Sequence, residues 1–324
     1  MSSVGYKLVV SYEGTEFCGW QKQEPPAEEF ERSEREKRKD RKGLEDQGIK
    51  KRVLGRVEKD GVERVQLRTV QHVLERAVQE VLREEIALVG ASRTDSGVHA
   101  YGQVAHFVSK PEVDKGVGWP ADRGCDRLAR AINARLPRDV WVRSAEVVPP
   151  GFNVIGGAVE KEYTYTMACG ETRPVFGRRY VWHTWDDLDA VKMNEAAQAL
   201  IGEHDFAGFA QINHGRKTTV RTIFRCSVED LGKEKTPSVC CADTSPGSPG
   251  EAEDGIKYVR MRVSGSGFLY HMVRIIAGTL MEVGQGKMTV DEVRGVLESA
   301  DRFKNPGPTL PPMGLRLEWI KYGD

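Results

Sequence analysis

At 324 residues, 39% of them hydrophobic, the chain has enough apolar material for about two domains of roughly 150 residues each. Its 48 Lys and Arg residues are matched by 48 Asp and Glu residues, so the formal net charge is +0 and bulk basicity is excluded as a means of holding nucleic acid. A polyanion site would have to be a local cluster of cations, and without an apolar run of 18 or more residues a membrane-spanning helix is not expected.

Tyr6 to Tyr12 reads as the first strand, starting too close to Met1 to leave room for a signal or transit peptide. Residues 24–67 form a charged insertion. Within it, from Glu28 to Lys42, 13 of 15 residues are charged, and Glu28/Arg32, Glu31/Arg35 and Glu34/Arg38 sit at i,i+4 in the favourable order. A solvated helix and a disordered arm both fit that composition. Val70, Val73, Leu74, Ala77, Val78, Val81 and Leu82 then share one helical face, with Thr69 placed as N-cap. Ile86 to Gly90 reads as a buried strand, Arg93 to Gly97 as a turn, Gln103 to Val108 as a strand, residues 122–135 as a helix and Asp139 to Val148 as a strand.

Pro149-Pro150-Gly151 punctuates the chain and sets the expected boundary between a half at 1–150 and a half at 151–324. The second half runs strand (Lys161 to Ala168), helix (187–201), strands (218–229 and 256–264), helices (Leu269 to Val283 and 289–300) and strand (Leu315 to Tyr322), with a Pro-, Gly- and Ser-rich loop insertion at about 232–255. This order predicts an α+β fold of two ferredoxin-like halves, with helices layered on a mostly antiparallel sheet.

The six cysteines, Cys18, Cys125, Cys169, Cys226, Cys240 and Cys241, show no C-x-x-C spacing, which predicts reduced thiols in the cytoplasm or an equivalent compartment. No metal or nucleotide cofactor is expected: the seven histidines form no zinc motif, and Gly284-Gln285-Gly286-Lys287 lacks the first Gly and the Ser/Thr of a P-loop. What remains is Ala91 to Ala100, between two apolar strands. As a plain turn, its Asp and Ser would cap local backbone and Gly97 would take the positive φ. As a site, the strand exit would present the Asp95 carboxylate with the Arg93 guanidinium two residues away.

Arg93-Thr94-Asp95-Ser96-Gly97-Val98-His99 resembles the catalytic signature of the TruA family of tRNA pseudouridine synthases. The resemblance continues in order through Phe17-x-Gly19-Trp20-Gln21, Thr69-Val70-Gln71, Phe152-Asn153, Lys161-x-Tyr163-x-Tyr165, Gly202 to Phe206, Arg221, Gly267 to Arg274, and Pro311-Pro312-x-Gly314-Leu315. Ser92 and Ser96 stand where the bacterial pattern usually has Gly and Ala, and Ile155 and Ala210 where it often has Arg, so an RNA-backbone contact is expected to be missing there.

The resemblance implies a cofactor-free isomerase acting on tRNA, on uridines of the anticodon stem-loop at about positions 38 to 40. It implies a homodimer. It also implies Asp95 as nucleophile, Arg274 as its charge partner and Tyr163 as the residue that stacks on uracil, with Tyr165 on the same strand face. Arg93 and Arg221 are expected on the RNA; His99 could touch RNA or simply satisfy its loop. With a neutral chain, Arg216, Lys217, Arg221, Arg225 and the helix cations Arg127, Arg130 and Arg135 would have to supply a local cleft. Two other readings stay open: an RNA binder that kept the fold without the chemistry, and a hydrolase that releases the base.

Overall fold

On the first strand, β1 (Val4–Tyr12), alternation sends Tyr6, Leu8, Val10 and Tyr12 to one face, where all four are buried. That face anchors the first of two compact units, Met1–Gly157 and Ala158–Asp324. The computed structural model describes residues 3–40, 53–212, 217–234 and 255–323. Cys240, Cys241, His214, Arg216, the centre of the 24–67 insertion and nearly all of the 232–255 insertion lie outside the described residues.

In the first unit β1 is followed by α1 (Ala27–Asp40), the hairpin strands β2 (Val53–Lys59) and β3 (Val62–Leu67), α2 (Val70–Leu82), β4 (Val89–Gly90), β5 (His99–Ser109), α3 (Cys125–Asn133) and β6 (Val140–Val148). The sheet order is β6-β1-β5-β4, with every pair antiparallel. Leaving out the α1–β3 insertion, a chain order of strand, helix, two strands, helix, strand with the first strand inside the sheet is the ferredoxin-like arrangement. Helix α2 forms as its pattern predicts: Val70, Leu74, Ala77, Val78 and Leu82 are buried, and the Thr69 hydroxyl accepts the His72 amide.

The second unit contains β7 (Ala158–Cys169), β8 (Trp182–Thr184), α4 (Ala190–Gln198), β9 (Gly202–Asp205), β10 (Val220–Glu234), β11 (Ile256–Gly265), α5 (Met272–Gly284), α6 (Val290–Ser299) and β12 (Leu315–Tyr322). Its sheet runs β12-β7-β11-β10-β9, antiparallel throughout, with the short β8 parallel to the end of β7. Taking β7, α4, β10, β11, α5 and β12 in turn gives the same ferredoxin-like order as the first unit. Helix α5 is buried along almost its whole length, from Met272 through Gly284, and forms the apolar centre of this half.

One local expectation changes, one open reading is decided and one feature is added. Ile86 to Gly90 is not a continuous buried strand: it pairs only at Val89–Gly90, on the sheet edge, with Ile86 and Leu88 buried and Ala87 and Val89 exposed. The charged arm is helical from Ala27 to Asp40, the first of the two readings its composition allowed. The 24–67 insertion has a core of its own, in which Val65 and Leu67 of β3 pack with Cys18, Ala27 and Phe30. Among the described residues no helix is long and apolar enough to cross a membrane.

Candidate active site

Asp95 sits, half-buried, on the loop between β4 and β5, and the segments around it fix that loop residue by residue. The Trp20 amide donates to the Thr94 carbonyl (3.0 Å), the Ser96 hydroxyl donates to the Phe17 carbonyl (3.1 Å), and the Val98 amide closes back onto the Asp95 carbonyl (3.2 Å). Gly19, between those two anchors, has φ +92°, and a Cβ there would lie 2.8 Å from the Thr94 carbonyl oxygen. Only a residue without a side chain allows the backbone to approach so closely in that conformation. Gly97 supplies the second positive φ, at +84°.

Behind this cradle stands the N-terminus of α2: the Val70 and Gln71 amides donate to the Gly19 and Trp20 carbonyls. The Gln71 side chain donates to the Leu88 carbonyl (2.7 Å) and accepts the Lys22 amide (2.8 Å). Thus Phe17-x-Gly19-Trp20-Gln21 and Thr69-Val70-Gln71 act as successive supports under Asp95, and Ser96 contributes an anchor through its hydroxyl.

A buried polar layer beneath the loop was not foreseen from sequence. Thr94 Oγ1 lies 2.7 Å from the Tyr12 hydroxyl, and the fully buried Gln103 donates to the Ser92 carbonyl (2.7 Å) while accepting the Ser92 amide (3.2 Å). A glutamine on the inward side of an otherwise apolar strand was the signal available, because a buried amide must find partners. His99 belongs to the same framework: it is 3% exposed, and its Nδ1 accepts the Gly14 amide at 3.0 Å. Of its two expected roles this placement favours the satisfied loop residue. Arg93, in contrast, is exposed.

In the second unit Tyr163 lies on β7 opposite Val263 and Leu317, 6% exposed, with the Phe268 ring edge-on at 5.2 Å. Tyr165 shares its face but is wholly buried and donates its hydroxyl to the Pro311 carbonyl (2.7 Å). Burial raises the Tyr165 pKa well above the usual phenol value, against the opposing influence of the nearby Arg274 charge. Both tyrosines are buried, Tyr165 completely and Tyr163 at 6% exposure.

Arg274, in the first turn of α5, donates from Nε to the Leu310 carbonyl (2.6 Å), and the Leu310 amide returns to the Arg274 carbonyl (3.3 Å). Consecutive residues Leu310 and Pro311 thus hold Arg274 and Tyr165. Gly314 faces the Tyr165 ring so closely that a Cβ would stand 2.7 Å from it. Arg274 is half-buried with its guanidinium oriented by the backbone.

Arg221 is half-buried and its guanidinium donates to the Thr218 and Val220 carbonyls. Lys217, Arg127, Arg130 and Arg135 are exposed, while Arg225 is paired with Glu160 at 3.3 Å. Among the described residues no group of three or more His, Cys, Asp or Glu side chains could hold a metal ion. The first unit thus carries a carboxylate on a hydrogen-bonded loop, and the second, taken by itself, carries an aromatic ring and a guanidinium oriented by the backbone.

The profile of a family described as tRNA pseudouridine synthase matches residues 57–155 and 196–323. The chain is 35% identical over 316 residues to tRNA pseudouridine synthase A of Geobacter sp. (strain M21), covering 98% of each protein. It is 40% identical over 242 residues to tRNA pseudouridine synthase A of Bacillus subtilis (strain 168), covering 75% of this chain and 83% of that one. With these matches spread across both ferredoxin-like units and over the supports of Asp95, Tyr163 and Arg274, the chain belongs to the TruA family of tRNA pseudouridine synthases, which are isomerases.

Proposed function

We propose that this enzyme converts uridine to pseudouridine in the anticodon stem-loop of tRNA, at about positions 38 to 40, with Asp95 as nucleophile. The observation that carries the assignment is the rigid seating of Asp95: both its neighbours in sequence are hydrogen-bonded to the Phe17–Trp20 segment. A solvated turn needs no such scaffold; a reacting carboxylate does, because its geometry sets the rate.

The reaction breaks the bond between the ribose C1′ and uracil N1 and forms one between C1′ and C5. The C5 proton leaves and N1 gains one, so no redox partner is consumed. Asp95 attacks either the ribose or the uracil ring with Arg274 as its charge partner, and Tyr163 stacks on the detached base and serves the C5 proton transfer. Arg93 and Arg221 hold the RNA around a uridine turned out of its stack, and the substrate spans a homodimer.

The test is tritium release from C5-labelled uridine in tRNA, with product analysis. Release with pseudouridine in the mapped stem-loop is expected. Free uracil would establish the hydrolase instead, and binding without release the inactive RNA-binding protein.

A further inference from the structure

We propose that the Tyr270–His271 ring pair is a stacking platform for an unpaired base of the RNA, a second nucleobase site besides the one that receives the target uridine; this rests on the tRNA reading above. The two rings lie face to face, with centroids 3.9 Å apart and planes at 26°. In helix or strand, consecutive side chains point away from each other, so neighbours in sequence do not stack by default. Here His271 adopts the left-handed conformation, φ +61° and ψ 2°, which a residue with a Cβ rarely takes.

Nothing in helix construction requires this residue to be strained: as N-cap of α5, His271 makes no side-chain capping bond. The pair is instead braced from the neighbouring segment, where the Gln211 amide donates to the Tyr270 carbonyl (3.1 Å) and Gln211 Oε1 lies 3.5 Å from His271 Nδ1. Tyr270 remains 50% exposed although it is flanked by buried Leu269 and Met272. A ring held at a fixed angle by strain and bracing, with half of its surface open to solvent, is built to receive another ring.

The platform also belongs to the site by chain connection. Phe268, two residues before Tyr270, is the ring packed edge-on against Tyr163, and Arg274 follows His271 by one helical turn. An unstacked base in a tRNA loop offers the complementary face, and recognition of single-stranded RNA by aromatic stacking tolerates any base.

The experiment is a coupling cycle. An anticodon stem-loop RNA carrying a single abasic nucleotide at each loop position in turn is titrated against wild type, Tyr270→Phe and Tyr270→Leu, with a melting curve for each protein. At one position the abasic change is expected to weaken wild-type and Tyr270→Phe binding about ten-fold, within the range for one stacked base, and to leave Tyr270→Leu unaffected. If Tyr270→Leu melts early, His271→Asn takes its place, since Asn tolerates the left-handed backbone and removes the second ring.

Equal abasic penalties in all variants at every position would overturn the platform while leaving the enzyme reading intact. Wild-type protein that neither binds the RNA nor releases tritium from tRNA would overturn both.

Discussion

Asp95 owes its fixed position to residues that perform no chemistry, and the two kinds of residue should separate in mutagenesis. Asp95→Asn keeps size and turn propensity, so the melting temperature and tRNA affinity should stay near wild type while tritium release falls by several orders of magnitude. Near-wild-type release would remove Asp95 from the reaction. Gly19→Ala makes the opposite case: with φ +92° and the Thr94 carbonyl 2.8 Å from the new Cβ, it should cost about 1–3 kcal/mol, or roughly 2–10 °C in melting temperature. It should also slow turnover by displacing the Asp95 loop, and an unchanged melting temperature and rate would show that the cradle yields freely. Asp95, Gly97 and the strand exit could be read from the sequence because turn chemistry is local. For the Tyr12, Thr94 and Gln103 layer the sequence offers only the inward place of Gln103 on its strand: that says a partner is needed, but not that the partners are Ser92 and Tyr12, which the fold brings in from other segments.

The same division runs through the elements. Helix α2 is legible from its 3.6-residue apolar period, whereas β9, Gly-Glu-His-Asp, carries no apolar signal and pairs only with β10 at the sheet edge. The β2–β3 hairpin was hidden for a related reason: its apolar residues Val53, Leu54 and Val62 are exposed and only Val65 and Leu67 turn inward. Glu24 fastens this hairpin, accepting from Lys59 and from Gln66 (3.2 Å), while its carbonyl accepts from Arg64 (3.0 Å). Partial burial pushes the Glu24 pKa up, but the bonds from Lys59 and Gln66 outweigh it and the net shift is downward. A depressed carboxylate contributes stability above its unfolded pKa of about 4.3 and loses it as pH falls through the lower folded value. Glu24→Gln should therefore cost about 1 kcal/mol or less at pH 7 and progressively less as pH falls below the unfolded value of about 4.3, read by melting across that range; a cost independent of pH would refute the charge-based account. Deleting residues 28–62 should leave the body folded, because Val65 and Leu67 bond to Pro25 and Gln23, and Pro26 already pairs with Arg64, so Ala27 and Glu63 can close a short turn. If the arm is an accessory RNA contact through Arg35, Lys37, Arg38, Lys39, Arg41 and Lys42, whose side chains lie outside the described residues, the deletion weakens tRNA binding and flattens its salt dependence. An unchanged slope would make the arm a bystander.

For the molecule as a whole, a formal charge of +0 means that a bulky polyanion must be held by local cations and by extent of contact. The proposed homodimer would supply that extent, and light scattering at micromolar concentration should then report about twice the 36.2 kDa chain mass; a monomer that modifies tRNA at full rate would refute it. The repeated ferredoxin-like order also has a consequence for biosynthesis. In the second unit the first strand, β7, lies inside the sheet and finds one neighbour, β12, only 150 residues later, where Tyr165 meets Leu315. At roughly 5–20 residues per second, a growing chain carries β7 with that edge unpaired for several seconds or longer. During this interval the strand bearing Tyr163 and Tyr165 is a template for any other extended segment, so the enzyme's yield in the cell depends on chaperones or slow encounter rates as well as on its final stability.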